Sequence, residues 1–433
     1  MDKFVIEGGR QLQGSIQVNG AKNAALPMMA AALLLEQGDR LILRNVPNLV
    51  DIRTMGILLG KLGVRVTRSK DVVTLFVTDD KPVIAPYEIV KKMRASICVL
   101  GPLVGRRRAA KVSQPGGCVI GVRPVDLHIR GLADLGADIS MKRGYLEADG
   151  KNLKGRTVYL GGAYGPSVTG TQNVLMAAVL AEGTSIIECA ACEPEVQALA
   201  EMLNEMGAKI EGIGSPRLIV HGVNQLHGAD VSVIPDRIEA ATFMAAAAVT
   251  EGHVRIEKCR PDHMIAPLES FRMAGIHTEQ GEDWIEVQSE GEFKPVDITT
   301  LPYPGFPTDF QAQFMAVMSV GKGISVITEK IYPDRFMHVP ELSRMGANIR
   351  KEGTCAIIAG VDQLVGAEVM ASDLRASAGL VVAGMAAEGF TEIHRVYHID
   401  RGYENLEKRL CGLGARVSRV VEKKENALIR EAM

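Results

Sequence analysis

Apolar residues recur along this chain in two alternating registers. In the first, Leu, Met and Phe fall three or four residues apart, stop at a glycine and give way to alternating apolar and polar positions. The segments are LLGKLGVRVT at 58, GLADLGADIS at 131, MLNEMGAKIE at 202, SFRMAGIHTE at 270, ELSRMGANIR at 341 and RLCGLGARVS at 409. The three-and-four spacing puts one apolar face on a helix, and the alternation predicts a strand. The glycine between them predicts a left-handed helix C-cap. These glycines (Gly63, Gly136, Gly207, Gly275, Gly346 and Gly414) stand 73, 71, 68, 71 and 68 residues apart.

The second register has the same period. Ala- and Met-rich runs end at Gly and lead into a strand: AAALLLEQGDRLILRNV, MAAVLAEGTSIIECA, AAAAVTEGHVRIEKC, MAVMSVGKGISVITE and AGMAAEGFTEIHRV, with CVLGPLVGRRRAAKVSQ as a looser copy. Helices that are apolar all round and made of small residues predict burial. Each unit of about 70 residues therefore reads as helix–strand–helix–strand with further strands after the second helix. That length exceeds the ~20–50 residues of a solenoid repeat. Six such units divide into two pseudo-threefold α/β domains. A chain of 433 residues also exceeds the ~250–300 at which one core stops growing.

Composition narrows the class. A net charge of −2 with 23% charged and 47% hydrophobic residues is that of a globular protein, without the basic excess of a nucleic-acid or membrane-surface binder. The one cationic cluster, Arg106–Arg107–Arg108, reads as a solvated edge or turn. The apolar run Ala24–Leu35 is shorter than the ~18 residues a span needs, and the charged N-terminus shows no signal peptide; a cytoplasmic location is expected. Seven scattered cysteines do not form a disulfide framework. Cys189 and Cys192 make a lone CxxC without a second pair or a nearby His pair, so buried, inert thiols are expected rather than zinc.

Four stretches interrupt the repeat with Gly, Pro and charge together, where sites tend to lie. In Asn19–Pro27 a helix is expected to begin near Asn23, and Lys22 is either an anion-binding cation at its N-terminus or a surface lysine. Met93–Ser96 and Pro115–His128 place Cys118 among three glycines beside Arg123, a setting for a reactive thiol on a mobile loop or for a structural cysteine. In Leu301–Gln313, Thr308 or Asp309 caps the next helix, or Asp309 is a rigidly held base. Asp373–Ser377 and His398–Tyr403 bring Arg375 and Arg401. Together with Lys22, Arg94 and Arg123 they make a cationic set suited to phosphate and carboxylate groups.

These stretches carry a resemblance. KNAALP at 22, MRAS at 93, PGGCVIGVRPVDLH at 115, PSV at 166, EPEV at 193, PDRIE at 235, PYPGFPTD at 302, RFMHVPELSRMGA at 335, DLRA at 373 and HIDRGYENLEKRL at 398 are similar to the enolpyruvyl transferase family, in its branch that acts on a nucleotide sugar. The resemblance runs over essentially the whole chain. It implies two inside-out α/β barrels, each of three βαβαββ repeats: residues 22–234 form the first, 1–21 with 235–433 the second, and the active site lies in the cleft between them.

The implied reaction transfers enolpyruvyl from phosphoenolpyruvate to the 3-hydroxyl of UDP-N-acetylglucosamine through a tetrahedral ketal that loses phosphate, the first committed step of peptidoglycan synthesis. Asp309 is implied to take the hydroxyl proton. Cys118 is implied as the acid toward the methylene carbon and the site of a covalent phosphoenolpyruvate adduct. Lys22, Asn23, Arg123, Arg375 and Arg401 are implied for phosphoenolpyruvate, with Lys22 and Arg401 also counted as catalytic. Arg94, Arg123, Pro124, Val125, Asp126, Leu127, Ser167, Val168, Asp309 and Ile331 are implied for UDP-N-acetylglucosamine. No metal, organic cofactor, nucleic acid, membrane or obligate protein partner is required, and alkylation of Cys118 by the epoxide fosfomycin is expected.

Three departures stand out. Thr169-Gly170-Thr171 follows PSV where Gly-Ala-Thr is usual. Tyr164-Gly165-Pro166 replaces a segment that often carries a basic residue. Ala240-Ala241-Thr242 follows PDRIE in place of Thr-Gly-Thr. The first two fall on the nucleotide-sugar side. Two other readings remain: the sister reaction on shikimate 3-phosphate, which lacks this Cys loop and PGFPTD context, and a non-catalytic paralogue that binds a nucleotide sugar.

Overall fold

A computed structural model describes residues 2–114 and 125–421. The chain forms two compact units. One comprises Asn19–Pro235 with Pro302–Pro304; the other comprises Met1–Val18, Asp236–Leu301 and Gly305–Met433. They are the first and second units, in that order.

Among the described residues, each unit has three four-stranded sheets of one design: an edge strand runs parallel to its neighbour, and the next two strands follow antiparallel. In the first unit, Ile84–Ala85 lies parallel to Ala109–Ser113, which pairs antiparallel with Tyr145–Asp149, and that with Asp138–Lys142. Chain-distant segments complete three of the other sheets. Asp230–Ser232 runs parallel to Arg40–Arg44, closing the first unit on itself. In the second unit, Gln13–Gln17 runs parallel to His253–Glu257, and Asp2–Glu7 lies between Phe390–His394 and Arg416–Val421. Alternate strand residues are buried, as in Val72–Val77, so each sheet turns one face inward.

The Ala-rich helices are the core. In the second unit, Arg237–Val249, Gln311–Ser319 and Leu374–Ala386 pack on one another, and the last is buried from Arg375 to Met385. Small residues permit this closeness: a Cβ added at Gly379 would stand 2.8 Å from the Ala312 carbonyl oxygen. In the first unit Lys22–Ala30 and Val168–Ala178 are likewise buried, whereas the looser sixth copy is irregular, a 3₁₀ turn at Arg94–Val99 leading through Leu100–Pro102 to a π turn at Leu103–Arg107. The amphipathic helices lie outward of these and end at the six repeat glycines, whose φ values run from +82° to +101°. Only glycine takes this conformation without steric cost.

Two expectations are corrected. The run Arg106–Arg108 is half-buried rather than solvated. Arg106 pairs with Glu36 at 2.7 Å, Arg107 donates to the Pro82 carbonyl, and Arg108 donates to the Leu180 carbonyl at 2.8 Å. Burial draws the Arg107 guanidinium down to about 10. Cys189 and Cys192 are free but only half-buried, because Cys189 leaves the strand Thr184–Glu188 through a left-handed turn (φ +56°) at its edge. No helix among the described residues is long and apolar enough to cross a membrane, and none of their His, Cys, Asp and Glu side chains group as a metal site.

Candidate functional site

In the first unit the helix Lys22–Ala30 begins one residue earlier than the sequence suggests, directly after extended Ala21. Lys22 is therefore built into the fold. It is buried, with Nζ 3.1 Å from the carboxylate of Asp51, itself in the first turn of the helix Val50–Lys61. The surface-lysine reading is thereby excluded. Asn23 beside it is half-buried. The same helix packs on the turn that opens with half-buried Arg94.

A buried relay joins that turn to the nucleotide-sugar candidates. The Asn173 amide nitrogen donates to the Ile97 carbonyl at 3.0 Å and to His128 Nδ1 at 2.8 Å, while its oxygen accepts from the Gly101 amide at 2.6 Å. His128 Nδ1 must therefore accept, which leaves Nε2–H to donate to the Thr169 hydroxyl at 3.1 Å. Burial, with the nearby Arg94 charge adding to it, pushes His128 down to about 3, so the ring stays neutral. The departure at Thr169 thus has a structural role: its hydroxyl satisfies the imidazole. Ser167 caps the helix Val168–Ala178 by accepting from the Gly170 amide. Asp126 opens the helix Asp126–Asp134 on the surface, and Val125 and Leu127 flank it in the interior. Tyr164, in the segment without a basic residue, is exposed. Cys118, Arg123 and Pro124 lie outside the described residues.

In the second unit, the rigid segment before the helix Gln311–Ser319 is a 3₁₀ turn, Thr308–Phe310. Neither Thr308 nor Asp309 caps the helix through its side chain, which corrects the capping reading. The Asp309 carboxylate is held by two buried guanidiniums instead. Arg335 Nη1 lies 2.8 Å from Oδ1, and Arg375 Nη2 lies 3.4 Å from Oδ2. Burial opposes the charge of both arginines, but Asp309 raises the affinity of Arg335 for its proton, and Tyr403 together with Asp309 raises that of Arg375.

Each arginine has its own anchor. Arg375 Nη1 donates to the buried Tyr403 hydroxyl at 3.1 Å, where Gln313 Nε2 also donates at 3.2 Å. Thr242 gives its proton to the Ile238 carbonyl at 2.7 Å, so Tyr403 donates to Thr242 at 2.8 Å. Arg335 Nη1 donates also to the Thr308 hydroxyl at 2.9 Å, which donates to Glu329 at 2.9 Å. Ile331 is half-buried and gives its amide to Glu329. Arg401 ends the 3₁₀ turn Val396–Arg401; burial, and after it the Arg401 charge, lower the proton affinity of His398, while Asp373, the N-cap of the helix that carries Arg375, opposes them.

The structure thus gathers Lys22, Arg94, Leu127 and Ser167 on neighbouring elements of the first unit, and Asp309 with Arg375 in the second. Sequence reasoning missed Asp51, Glu329 and Arg335 as partners and did not distinguish Tyr403 within its motif. A lone charged residue in a polar turn carries no local mark of burial. The nearest signal was Arg335 opening the RFMHVPELSRMGA segment.

The solved structures define the class. An enolpyruvyl transferase, NikO from Streptomyces tendae, superposes with TM-score 0.87 at 22% identity, over 98% of this chain and 99% of that one. An EPSP synthase from Acinetobacter baumannii gives 0.74 at 18% identity, over 97% and 100%. This is the enolpyruvyl transferase fold. The family model described as EPSP synthase (3-phosphoshikimate 1-carboxyvinyltransferase) matches residues 6–410, and the chain belongs to that family. Curated relatives specify a branch of it. Proteins named UDP-N-acetylglucosamine 1-carboxyvinyltransferase from Desulfatibacillum aliphaticivorans and UDP-N-acetylglucosamine 1-carboxyvinyltransferase 2 from Carboxydothermus hydrogenoformans are 51% and 52% identical, each over 97% of this chain and 100% of its own length.

Proposed function

We propose that this chain transfers the enolpyruvyl group of phosphoenolpyruvate to the 3-hydroxyl of UDP-N-acetylglucosamine and releases phosphate. The observation that carries this reading is about 51% identity, over nearly the full chain, to relatives named for that reaction. The two units serve as the two enolpyruvyl transferase domains. Asp309, fixed by Arg335 and Arg375, takes the proton of the acceptor hydroxyl as its oxygen bonds to C2 of phosphoenolpyruvate. Cys118 delivers a proton to C3, giving a ketal. Loss of phosphate from C2, with the C3 proton returning to the Cys118 thiolate, restores the C2–C3 double bond and forms the enol ether product. Lys22, Asn23, Arg123, Arg375 and Arg401 bind phosphoenolpyruvate and offset its charge. Arg94, Arg123–Leu127, Ser167, Val168 and Ile331 hold the nucleotide sugar. The chemistry needs neither a metal nor an organic cofactor.

This reading makes the chain a cytoplasmic enzyme of cell-wall synthesis, tied to cell shape and division, and a fosfomycin target through Cys118. The test is phosphate release from phosphoenolpyruvate with and without UDP-N-acetylglucosamine, on the wild type, Cys118→Ser and Asp309→Ala. Sugar-dependent release that is lost in Asp309→Ala and strongly reduced in Cys118→Ser is expected. Release with shikimate 3-phosphate in place of the sugar refutes the acceptor, and release with neither refutes the reaction.

A further inference from the structure

Glu329 is a fully buried carboxylate with no part in the roles above. It follows the strand Ile324–Thr328 and receives four donors. Its Oε1 accepts from the Thr300 hydroxyl at 2.6 Å and from the amides of Ile331 and Tyr332 at 2.8 and 2.9 Å; its Oε2 accepts from the Thr308 hydroxyl at 2.9 Å. Thr300 in turn accepts from the Lys330 amide at 2.9 Å, so the turn after the strand is clamped at three successive residues. A carboxylate that spends both oxygens in this way is an internal fastener.

The fastener reaches Asp309. Thr308 gives its proton to Glu329, so its oxygen can only accept from Arg335 Nη1, and that same nitrogen holds Asp309 Oδ1 at 2.8 Å. Three hydrogen bonds thus connect one carboxylate to the other. On the opposite side Glu329 fixes the backbone at Ile331. We infer that Glu329, acting through Thr308 and Arg335, is a positioning residue that locks the direction of the Asp309 carboxylate to the segment around Ile331. The inference rests on the proposed base role of Asp309 and contact role of Ile331. Acceptor recognition and proton removal then share one rigid frame, as oriented general-base catalysis requires.

Thr308→Val removes the hydroxyl at nearly constant shape, Thr308→Ser keeps it, and Glu329→Gln replaces the oxygen that takes the Thr308 proton with an NH₂ while sparing the other three donors. Thr308→Val and Glu329→Gln are expected to lower kcat about 10- to 100-fold, the range produced by displacements of up to about 1 Å. KM for phosphoenolpyruvate should stay within about threefold of wild type, and Thr308→Ser should restore most of kcat. Crystal structures of the wild type and Thr308→Val should show the Asp309 carboxylate turned. Wild-type kcat in Thr308→Val or Glu329→Gln, or an equal fall in Thr308→Ser and Thr308→Val, overturns the inference. An Asp309 carboxylate unmoved in the variant crystal overturns it too. Absence of sugar-dependent phosphate release by the wild type would instead refute the proposed reaction, and the crystal comparison would still decide the relay.

Discussion

Replacing Tyr403 by Phe removes a single oxygen from the interior of the second unit. The ring is 1% exposed and loses no packing. Thr242 and Gln313 keep alternatives: Gln313 Nε2 still reaches the Thr242 hydroxyl at 3.1 Å and the Asp309 carbonyl at 3.3 Å. Arg375 Nη1 loses the acceptor that held it at 3.1 Å. Hydrogen bonds to charged groups contribute about 1.5–3 kcal/mol, and a charged donor left buried lies at the upper end, so a loss of about 2–3 kcal/mol is expected. For a unit of this size that corresponds to about 4–12 °C in its melting temperature. The assay is built in. Trp284 is the single tryptophan of the chain and lies in this unit, so its fluorescence reports this unit's transition. Tyr397→Phe, at a half-exposed ring, is the control and should leave the transition in place. A Tyr403→Phe midpoint within about 1 °C of wild type would refute the reasoning that the phenol anchors a buried guanidinium.

Three further outcomes follow from the same physics. His128 is held near 3 against an ordinary 6.5, so the unfolded chain binds one more proton than the native one between those values. Stability is lost as pH falls below about 6.5, at up to about 1.4 kcal/mol per pH unit from this group. His128→Gln, whose amide can still accept from Asn173 and donate to Thr169, should flatten the acid limb of a urea-denaturation series by about 2 kcal/mol between pH 7 and 4.5; an unchanged limb refutes the assignment. Burial pushes Cys98 up to about 12 and Cys259 up to about 11, whereas Cys411 is exposed. Brief iodoacetamide treatment of the native protein at pH 8, read by peptide mass spectrometry, should label Cys411 and spare the other two. Gly379→Ala should destabilise the second unit by about 1–3 kcal/mol, because its Cβ would meet the Ala312 carbonyl at 2.8 Å; Trp284 fluorescence against urea measures this, and a neutral result would show that the helices can separate.

The chain's own pattern determined what depends on local geometry. Helix and strand periodicity is a short-range signal, so the six repeats and the helix-ending glycines were legible, as was the burial of the Ala-rich helices. The cationic and acidic candidates were legible as types, because Gly and Pro mark the segments that leave the repeat. Tertiary structure decided the rest. No local pattern shows that Asp2–Glu7 completes a sheet with Phe390–His394 and Arg416–Val421, since strand pairing joins residues about 400 positions apart; family resemblance indicated that the N-terminal strand returns, but periodicity did not. Nor can sequence distinguish a solvated arginine from one buried against a carboxylate. Arg106, expected in solvent, pairs with Glu36, while Arg335 and Arg375 converge on Asp309 from segments 26 and 66 residues away in sequence. The reason is physical. Periodicity records which face of an element avoids water. The partner of a buried charge depends on which elements the folded chain brings within hydrogen-bonding distance.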